Sequence, residues 1–397
     1  MNACSKINLM KKGNLDEVVV IGVGCSKFGE RYDKSYEDLA VEAFEEALQD
    51  AGIKREDIQA AWLGTFFPGF GGGMSGSSLA DALKIYGKPV TRVENFCATG
   101  MEAFRNAAFS VAAGIYDIVL ALGVEKLKDR QSRGLPRVDW HPLLIKGNTA
   151  PGVFALPARR YMETFGIDRK PLARVAVKNH KNGAKNKKSH FQKEITDEEV
   201  LAAPMVAYPF GLFDCCPVTD GSACAIIARK EVARELKKDY IKILGLGLAV
   251  TSARPQFKPD FEYIGFPATR LAAQQAYNMS GITPQDIDFA EVHDCFTWTE
   301  ISNYEDLGFA EKGQGWKLIM NGDTFIDGKI PVNPSGGLKS FGHPIGASGL
   351  RMIYEVVNQL RGKVEKERQV KIKKGIGLAH NLGGPGSVAS VTILGID

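Results

Sequence analysis

Paired cysteines are missing from this chain. Its 397 residues hold seven cysteines, an odd number, with no Cys-x-x-Cys spacing anywhere. That argues against a disulfide framework and a self-contained zinc site, and it suits a reducing cytoplasm. A charge excess is missing too: 50 Lys and Arg stand against 46 Asp and Glu, a net of +4. This excludes a histone-like polyanion binder, so no nucleic-acid partner is expected, while a local basic patch for a phosphorylated ligand stays open. No apolar run approaches bilayer length, so no membrane association is expected. Met1 to Asn14 carries Lys6, Lys11 and Lys12 without a continuous apolar stretch, which predicts no secretory signal. What is present is average for globular proteins: 44% apolar and 24% charged residues. The length implies two packed halves or one large α/β unit.

An internal repeat favours two halves. Ala51-Gly52-Ile53 with Asp57-Ile58 returns 229 positions later as Ser280-Gly281-Ile282 with Asp286-Ile287. Before each copy comes an apolar β-like run, at Val18 and at Ile241. An amphipathic helix follows, with Leu39, Ala43 and Ala47 in one copy and Leu271, Ala272 and Ala276 in the other. A second apolar strand then begins at Ala61 and at Ala290. Strand, helix, strand at this spacing predicts parallel pairing through crossover helices.

A second matched pair carries the chemistry. Cys97-Ala98-Thr99-Gly100 opens a small-residue helix over 101–113 and a strand over 118–124. His343-Pro344-Ile345-Gly346 opens a helix over 347–360 and a strand over 375–379. Ligands in α/β sheets sit at the carboxyl ends of strands, beside helix N-termini. Between the halves, 129–204 reads as an inserted loop domain with short helices over 158–164 and 172–181. Its lysines (Lys178, Lys181, Lys185, Lys187, Lys188, Lys193) are expected mainly on a solvated face. The boundaries follow: 14–128 with 205–238 for the first half, 129–204 for the insert and 239–397 for the second half.

A cysteine at the head of a helix gains from unpaired N–H groups and the positive dipole end, which favour thiolate. A histidine at the repeat-equivalent turn shares its pocket if the halves are related by a pseudo-twofold axis, and a Cys–His pair generates a nucleophile. His293-Asp294-Cys295-Phe296 ends the Ala290 strand. His380-Asn381-Leu382-Gly383-Gly384-Pro385-Gly386 ends another, as a close-approach loop with amides free for an oxyanion.

In these motifs the chain resembles the thiolase superfamily over about Val18 to Leu394, in particular the sterol-carrier-protein-type and archaeal thiolases and the two-component branch that includes benzoylsuccinyl-CoA thiolase. Asp214-Cys215-Cys216-Pro217-Val218-Thr219-Asp220-Gly221 adds to the likeness. The resemblance implies a five-layered αβαβα fold and an acyl transfer between coenzyme A thioesters. Coenzyme A enters as substrate, with no bound cofactor or metal. Better-known thiolases read Asn-Glu-Ala-Phe at the third motif and carry a catalytic cysteine at the last. Here His293 stands for that asparagine and His380 for that cysteine.

By resemblance, Cys97 accepts the acyl group, His343 is its base, and His293 with His343 holds the thioester oxygen of the second substrate. Cys295 takes over the second proton transfer, and His380 orients one of these groups. Gly383, with Asn381 and Ser340, is expected at the oxyanion or substrate. The resemblance further implies a homodimer, with 69–78 near the contact, and a small OB-fold, zinc-ribbon partner. Phe210, Phe213 and Trp298 are candidate pocket aromatics. Another condensing enzyme of the same fold and a catalytically silent scaffold are the competing readings. The former fits less well, since Gly342-His343-Pro344 has histidine where ketoacyl synthases use asparagine.

Overall fold

The computed structural model describes residues 14–67, 74–129, 149–236, 239–253 and 258–396. In chain order its elements are β1 (Val18–Cys25), α1 (Tyr36–Ala51), β2 (Ala60–Gly64), α2 (Gly76–Leu83), β3 (Val90–Val93), α3 (Thr99–Ala112) and β4 (Ile118–Glu125). The insert contributes α4 (Ala150–Phe165), α5 (Lys170–Ala184) and α6 (Asp197–Ala202), and the hairpin of β5 (Met205–Ala207) and β6 (Phe210–Gly211) follows it. Then come β7 (Gly221–Arg229), α7 (Lys230–Glu235), β8 (Ile241–Val250), α8 (Pro267–Ser280), β9 (Phe289–Glu291), α9 (Thr297–Asp306) and α10 (Gly315–Met320). The chain closes with α11 (Gly337–Phe341), α12 (Ile345–Leu360), β10 (Ile376–Gly383) and β11 (Val388–Gly395). No helix among the described residues is long and apolar enough to cross a membrane.

The repeat is visible in the sheet. Its strand order, β3-β2-β4-β7-β1-β8-β11-β10-β9, runs outward from a centre in two matching series. β1, β7, β4 and β2 on one side are answered by β8, β11, β10 and β9 on the other. Val332, bridged in parallel to Ala290 of β9, takes the place that β3 holds beside β2. The centre is a thin seam, in which β1 meets β8 only through Val19–Lys242 and Val20–Ile241.

Strand alternation builds the layers. Val19, Ile21, Leu120, Leu122 and Ile226 pack with Leu39, Ala43 and Phe44 of α1 on one outer face. The opposite face of the same strands, through Val20, Val23, Ala121 and Ala225, joins Phe104 and Ala107 of α3 and Leu350 and Ile353 of α12. Ala379 and Leu394 of the second half reach that central core from the other side. Leu378, Val391 and Ile393 turn outward to Ala272 and Ala276 of α8. Helix, sheet, paired helices, sheet, helix is the expected five-layered αβαβα order.

Two expectations change. β1 and β2 run in the same direction but are not neighbours, because β4 and β7 lie between them, and β7 pairs antiparallel with both β4 and β1. A strand–helix–strand unit sets direction and crossover, and leaves room for later strands to enter. Second, Lys178 is not solvated: its ammonium lies 2.8 Å from Glu300, both fully buried, and donates to the Val332 carbonyl at 2.5 Å. Lys181, Lys185, Lys187 and Lys193 are exposed as expected. Of the stretch 69–78, residues 69–73 lie outside the described residues, as do 130–148 of the insert.

Backbone contact draws the two halves together at the strand ends. A Cβ on Gly123, near the end of β4, would fall 2.1 Å from the Gly346 carbonyl oxygen in the first turn of α12. A Cβ on Gly100 of α3 would lie 2.8 Å from the same oxygen. Only glycine allows that approach. Gly123→Ala is therefore expected to lower the free energy of unfolding by about 2 kcal/mol or more. A denaturant titration with an unchanged midpoint would refute the contact.

Candidate active site

Cys97 sits on a strained turn between β3 and α3. Phe96, just before it, has φ +51°, a left-handed conformation that costs a non-glycine residue about 1–3 kcal/mol. Thr99 holds the turn: its hydroxyl accepts from the Asn95 N–H at 2.8 Å and donates to the Phe96 carbonyl at 2.5 Å. Cys97 is half-buried. Burial pushes its thiol up to about 12, opposed by a hydrogen bond from the Gly384 backbone N–H. Desolvation outweighs that hydrogen bond, which favours a thiol at rest.

His343 lies on the matching turn between α11 and α12, 4% exposed. Its Nδ1 is 2.7 Å from the Ser348 hydroxyl, which itself donates to the Pro344 carbonyl at 3.0 Å. Nε2 is buried without a hydrogen-bond partner, and burial pushes the imidazole down to about 3, so it is neutral. Glu125, at the end of β4, holds the turn in place by accepting from the Gly346 N–H at 2.8 Å. It also takes the Thr65 hydroxyl and the Phe66 and Phe67 amides, so one buried carboxyl ties the ends of β2 and β4 to α12.

The third group arrives from β9. His293 is 1% exposed, and its ring meets that of His343 edge-on at 5.2 Å. One ligating atom each from Cys97, His293 and His343 lies within 4.8 Å of the other two. The two symmetry-related turns therefore share one pocket. Burial, reinforced by His343, holds His293 well below the usual imidazole range.

Asp294 accepts from the amides of Leu338 and Lys339 at 2.6 and 3.2 Å, fastening α11 to the histidine strand. Burial, with Glu300 nearby, pushes its carboxyl up to about 7. The Cys295 thiol is buried 3.8 Å from the Thr299 hydroxyl and is likewise pushed well up, by burial first and by Cys216 and Cys97 after it.

Other expected site residues are placed differently. β10 runs on to Gly383, paired with β11 throughout, and does not stop at Ala379. Alternation along that longer strand turns His380 outward, where its Nε2 is 3.0 Å from Thr269 of α8 and its Nδ1 accepts from the His293 backbone N–H at 3.5 Å. His380 supports the site from behind, and the residue that reaches the pocket is Asn381, whose Nδ2 is 2.9 Å from His293 Nδ1. Gly383 is a strand residue packed against the Asn95 carbonyl. The amide that faces Cys97 is Gly384's.

Ser340 donates to the Phe191 carbonyl at 2.9 Å, on the side of the insert. Phe210 stacks on Phe296 at 5.0 Å, and Trp298 is core beside Tyr161 and Phe266. Phe213 is only half-buried and stands edge-on to His180. Phe96, the residue before Cys97, has its ring 5.7 Å from that of Phe66, which in turn meets Phe67 at 4.1 Å. Glu125, Ser348, Thr99 and the anchoring role of Asp294 were not singled out from sequence. A carboxylate ending an apolar strand, as Glu125 does, was the available signal.

Comparison with known proteins agrees with this architecture. Residues 18–231 match the family described as thiolase, N-terminal domain, and residues 251–396 match thiolase C-terminal domain-like. An acetyl-CoA acetyltransferase of Methanothermobacter thermautotrophicus is 41% identical, covering 95% of this chain and 99% of that one. Human sterol carrier protein 2 is 37% identical over 94% of this chain and 71% of its own length. Among solved structures, an Ltp2–ChsH2(DUF35) aldolase superposes with a TM-score of 0.84 at 26% identity, covering 97% of this chain and 99% of that one. The Acat5 thiolase of Ascaris suum in complex with coenzyme A shares the fold at a TM-score of 0.69 and 19% identity, over 96% of this chain and all of that one. The chain belongs to the thiolase family and is an acyltransferase.

Proposed function

We propose that the chain is a coenzyme A-dependent thiolase that cleaves a β-ketoacyl-CoA, or runs the reverse Claisen condensation, through an acyl group on Cys97. The observation that supports this most is the meeting of Cys97, His343 and His293 within 4.8 Å in one buried pocket. As the Cys97 sulfur attacks the β-keto carbon, its proton passes to His343 Nε2. The new oxyanion is held by the backbone N–H groups of Cys97 and Gly384. The bond between the α and β carbons breaks, and the departing enolate is steadied by His293 and protonated by the Cys295 thiol. In the second half, coenzyme A returns a proton to the Cys295 thiolate and attacks the acyl carbon. Cys97 leaves and recovers its proton from His343, so both half-reactions balance.

Two neutral partners replace a resting thiolate–imidazolium pair. That keeps charge out of a dry pocket until substrate arrives, since an unpaired buried ion is costly. The part-exposed ring series Phe96, Phe66 and Phe67, which starts at the residue before Cys97, favours an acyl group bulkier than acetoacetyl, of the aromatic or dicarboxylic kind found in benzoylsuccinyl-CoA. The name of the Methanothermobacter relative supports acetoacetyl-CoA as the alternative. The DUF35 component named with Ltp2–ChsH2 supports a partner protein here; its small OB-fold, zinc-ribbon character and a homodimer are proposed from the family resemblance. A cytoplasmic location suits an enzyme whose nucleophile must remain a free thiol.

Incubation with a β-ketoacyl-CoA is expected to add the acyl mass to Cys97, and Cys97→Ala to abolish both adduct and thiolysis. Adduct without thiolysis would point to another condensing enzyme, and no adduct on folded protein to a silent scaffold. Cys295→Ala is expected to slow thiolysis about a hundredfold or more while Cys97 stays open to alkylation. Because the Cys97 thiol is pushed up, its thiolate fraction grows with pH. Iodoacetamide inactivation should climb about tenfold per unit between about pH 7 and 9. A rate already at plateau below neutrality would show a resting ion pair instead.

A further inference from the structure

Two imidazoles face one sulfur, and in the proposed reaction they need opposite faces: a lone pair to take the Cys97 proton and an N–H to hold an oxygen. We infer that Ser348 and Asn381 are positioning residues that lock His343 and His293 in opposite tautomers, and that Asn381 thereby keeps a metal ion off the Cys97–His293–His343 cluster. The catalytic meaning rests on the acyl-Cys97 reading, but the tautomers and the metal test stand apart from turnover.

For His343 the tautomer follows from the Ser348 hydroxyl: with its one hydrogen given to the Pro344 carbonyl at 3.0 Å, it accepts from His343 Nδ1–H at 2.7 Å. Nε2 is left as a bare lone pair, buried and unpartnered on the pocket side.

For His293 the partner is a donor. The Asn381 amide nitrogen has hydrogens and no usable lone pair, so at 2.9 Å from Nδ1 it donates, and the histidine proton must sit on Nε2. The amide orientation has its own check, as assignment of O and N needs one. The oxygen end lies in the notch left by Gly349, where a Cβ would fall 2.6 Å from both Asn381 Oδ1 and the Met101 backbone nitrogen. Met101 belongs to the first turn of α3, whose N–H groups lack intrahelical acceptors. The oxygen takes no hydrogen bond there, so the orientation rests on keeping the amide N–H groups away from the Met101 N–H.

The same trio offers one sulfur and two imidazoles at a spacing that a zinc ion accepts. A metal needs the imidazole lone pair, and metal-bound histidines give their other N–H to an acceptor such as a carboxylate. Asn381 presents the reverse, so the pocket has the ligand set with one ligand turned the wrong way. Asn381→Asp supplies the acceptor, moves the proton to Nδ1 and exposes the lone pair.

Equilibrium dialysis against Zn²⁺ alone is expected to show Asn381→Asp binding one ion about ten- to a hundredfold more tightly than the unmodified chain. Co²⁺ alone should give that variant a thiolate-to-metal absorption band. Both signals should vanish when Cys97→Ala is added. Equal or weaker Zn²⁺ affinity in folded Asn381→Asp, or binding that survives Cys97→Ala, overturns the inference. Should the variant not fold, nitrogen NMR of the unmodified, histidine-labelled protein decides: one neutral Nδ1–H ring and one neutral Nε2–H ring at His343 and His293 support it. The same tautomer at both overturns it. Ser348→Ala should release the His343 tautomer, and Ser348→Thr should restore it.

Discussion

The site exists because two backbones touch where side chains would forbid it. Gly123 and Gly100 of the first half meet the Gly346 carbonyl of the second at distances that leave no space for a methyl group. That contact lets α3 and α12 lie side by side between the two sheet halves, with their opening turns in register. Everything chemical follows from the closeness: the sulfur on one turn, the imidazole on the other, and Glu125 bridging to the Gly346 amide. A duplication supplies two equivalent strand-to-helix turns, and the glycines convert equivalence into adjacency.

Within that contact the electrostatics are those of a dry site. Cys97 is held protonated and both pocket histidines uncharged by the same cause, loss of water. What offsets the loss is directional: Gly384 toward the sulfur, Ser348 behind one imidazole, Asn381 behind the other. Charge is deferred until a thioester is present to receive it, which is economical in a pocket where an unpaired ion has few partners.

Much of this was legible in the sequence, for local reasons. The repeat, the two helix-opening turns and the His293–Cys295 strand end are each written within about a dozen residues, and the structure brings them together. The end of β10 was misread, because the strand was stopped at Ala379. Continuing a period of two through Leu378, His380 and Leu382 puts those three on one face and Ala379 and Asn381 on the other. Lys178 of the insert was misread for a different reason. Nothing near Lys178 in the chain announces Glu300, and a buried cation is intelligible only once its distant partner is known. Ser340 and Gly383 show a third limit, since a glycine-rich passage identifies a close approach without saying which amide or hydroxyl looks inward.

The Lys178–Glu300 pair also says something about how the halves depend on each other. Glu300 receives Asn179 and Asn333 as well, and Asn333 in turn accepts from the Val292 amide immediately before His293. The floor beneath the second-half histidine is thus furnished by α5, a helix encoded far upstream in the insert. A nascent chain has made that helix long before the strand it will support. The molecule is symmetric in outline, but both halves lean on the insert: the second through Lys178 and Asn179, the first through Lys188, which donates to the Cys25 carbonyl.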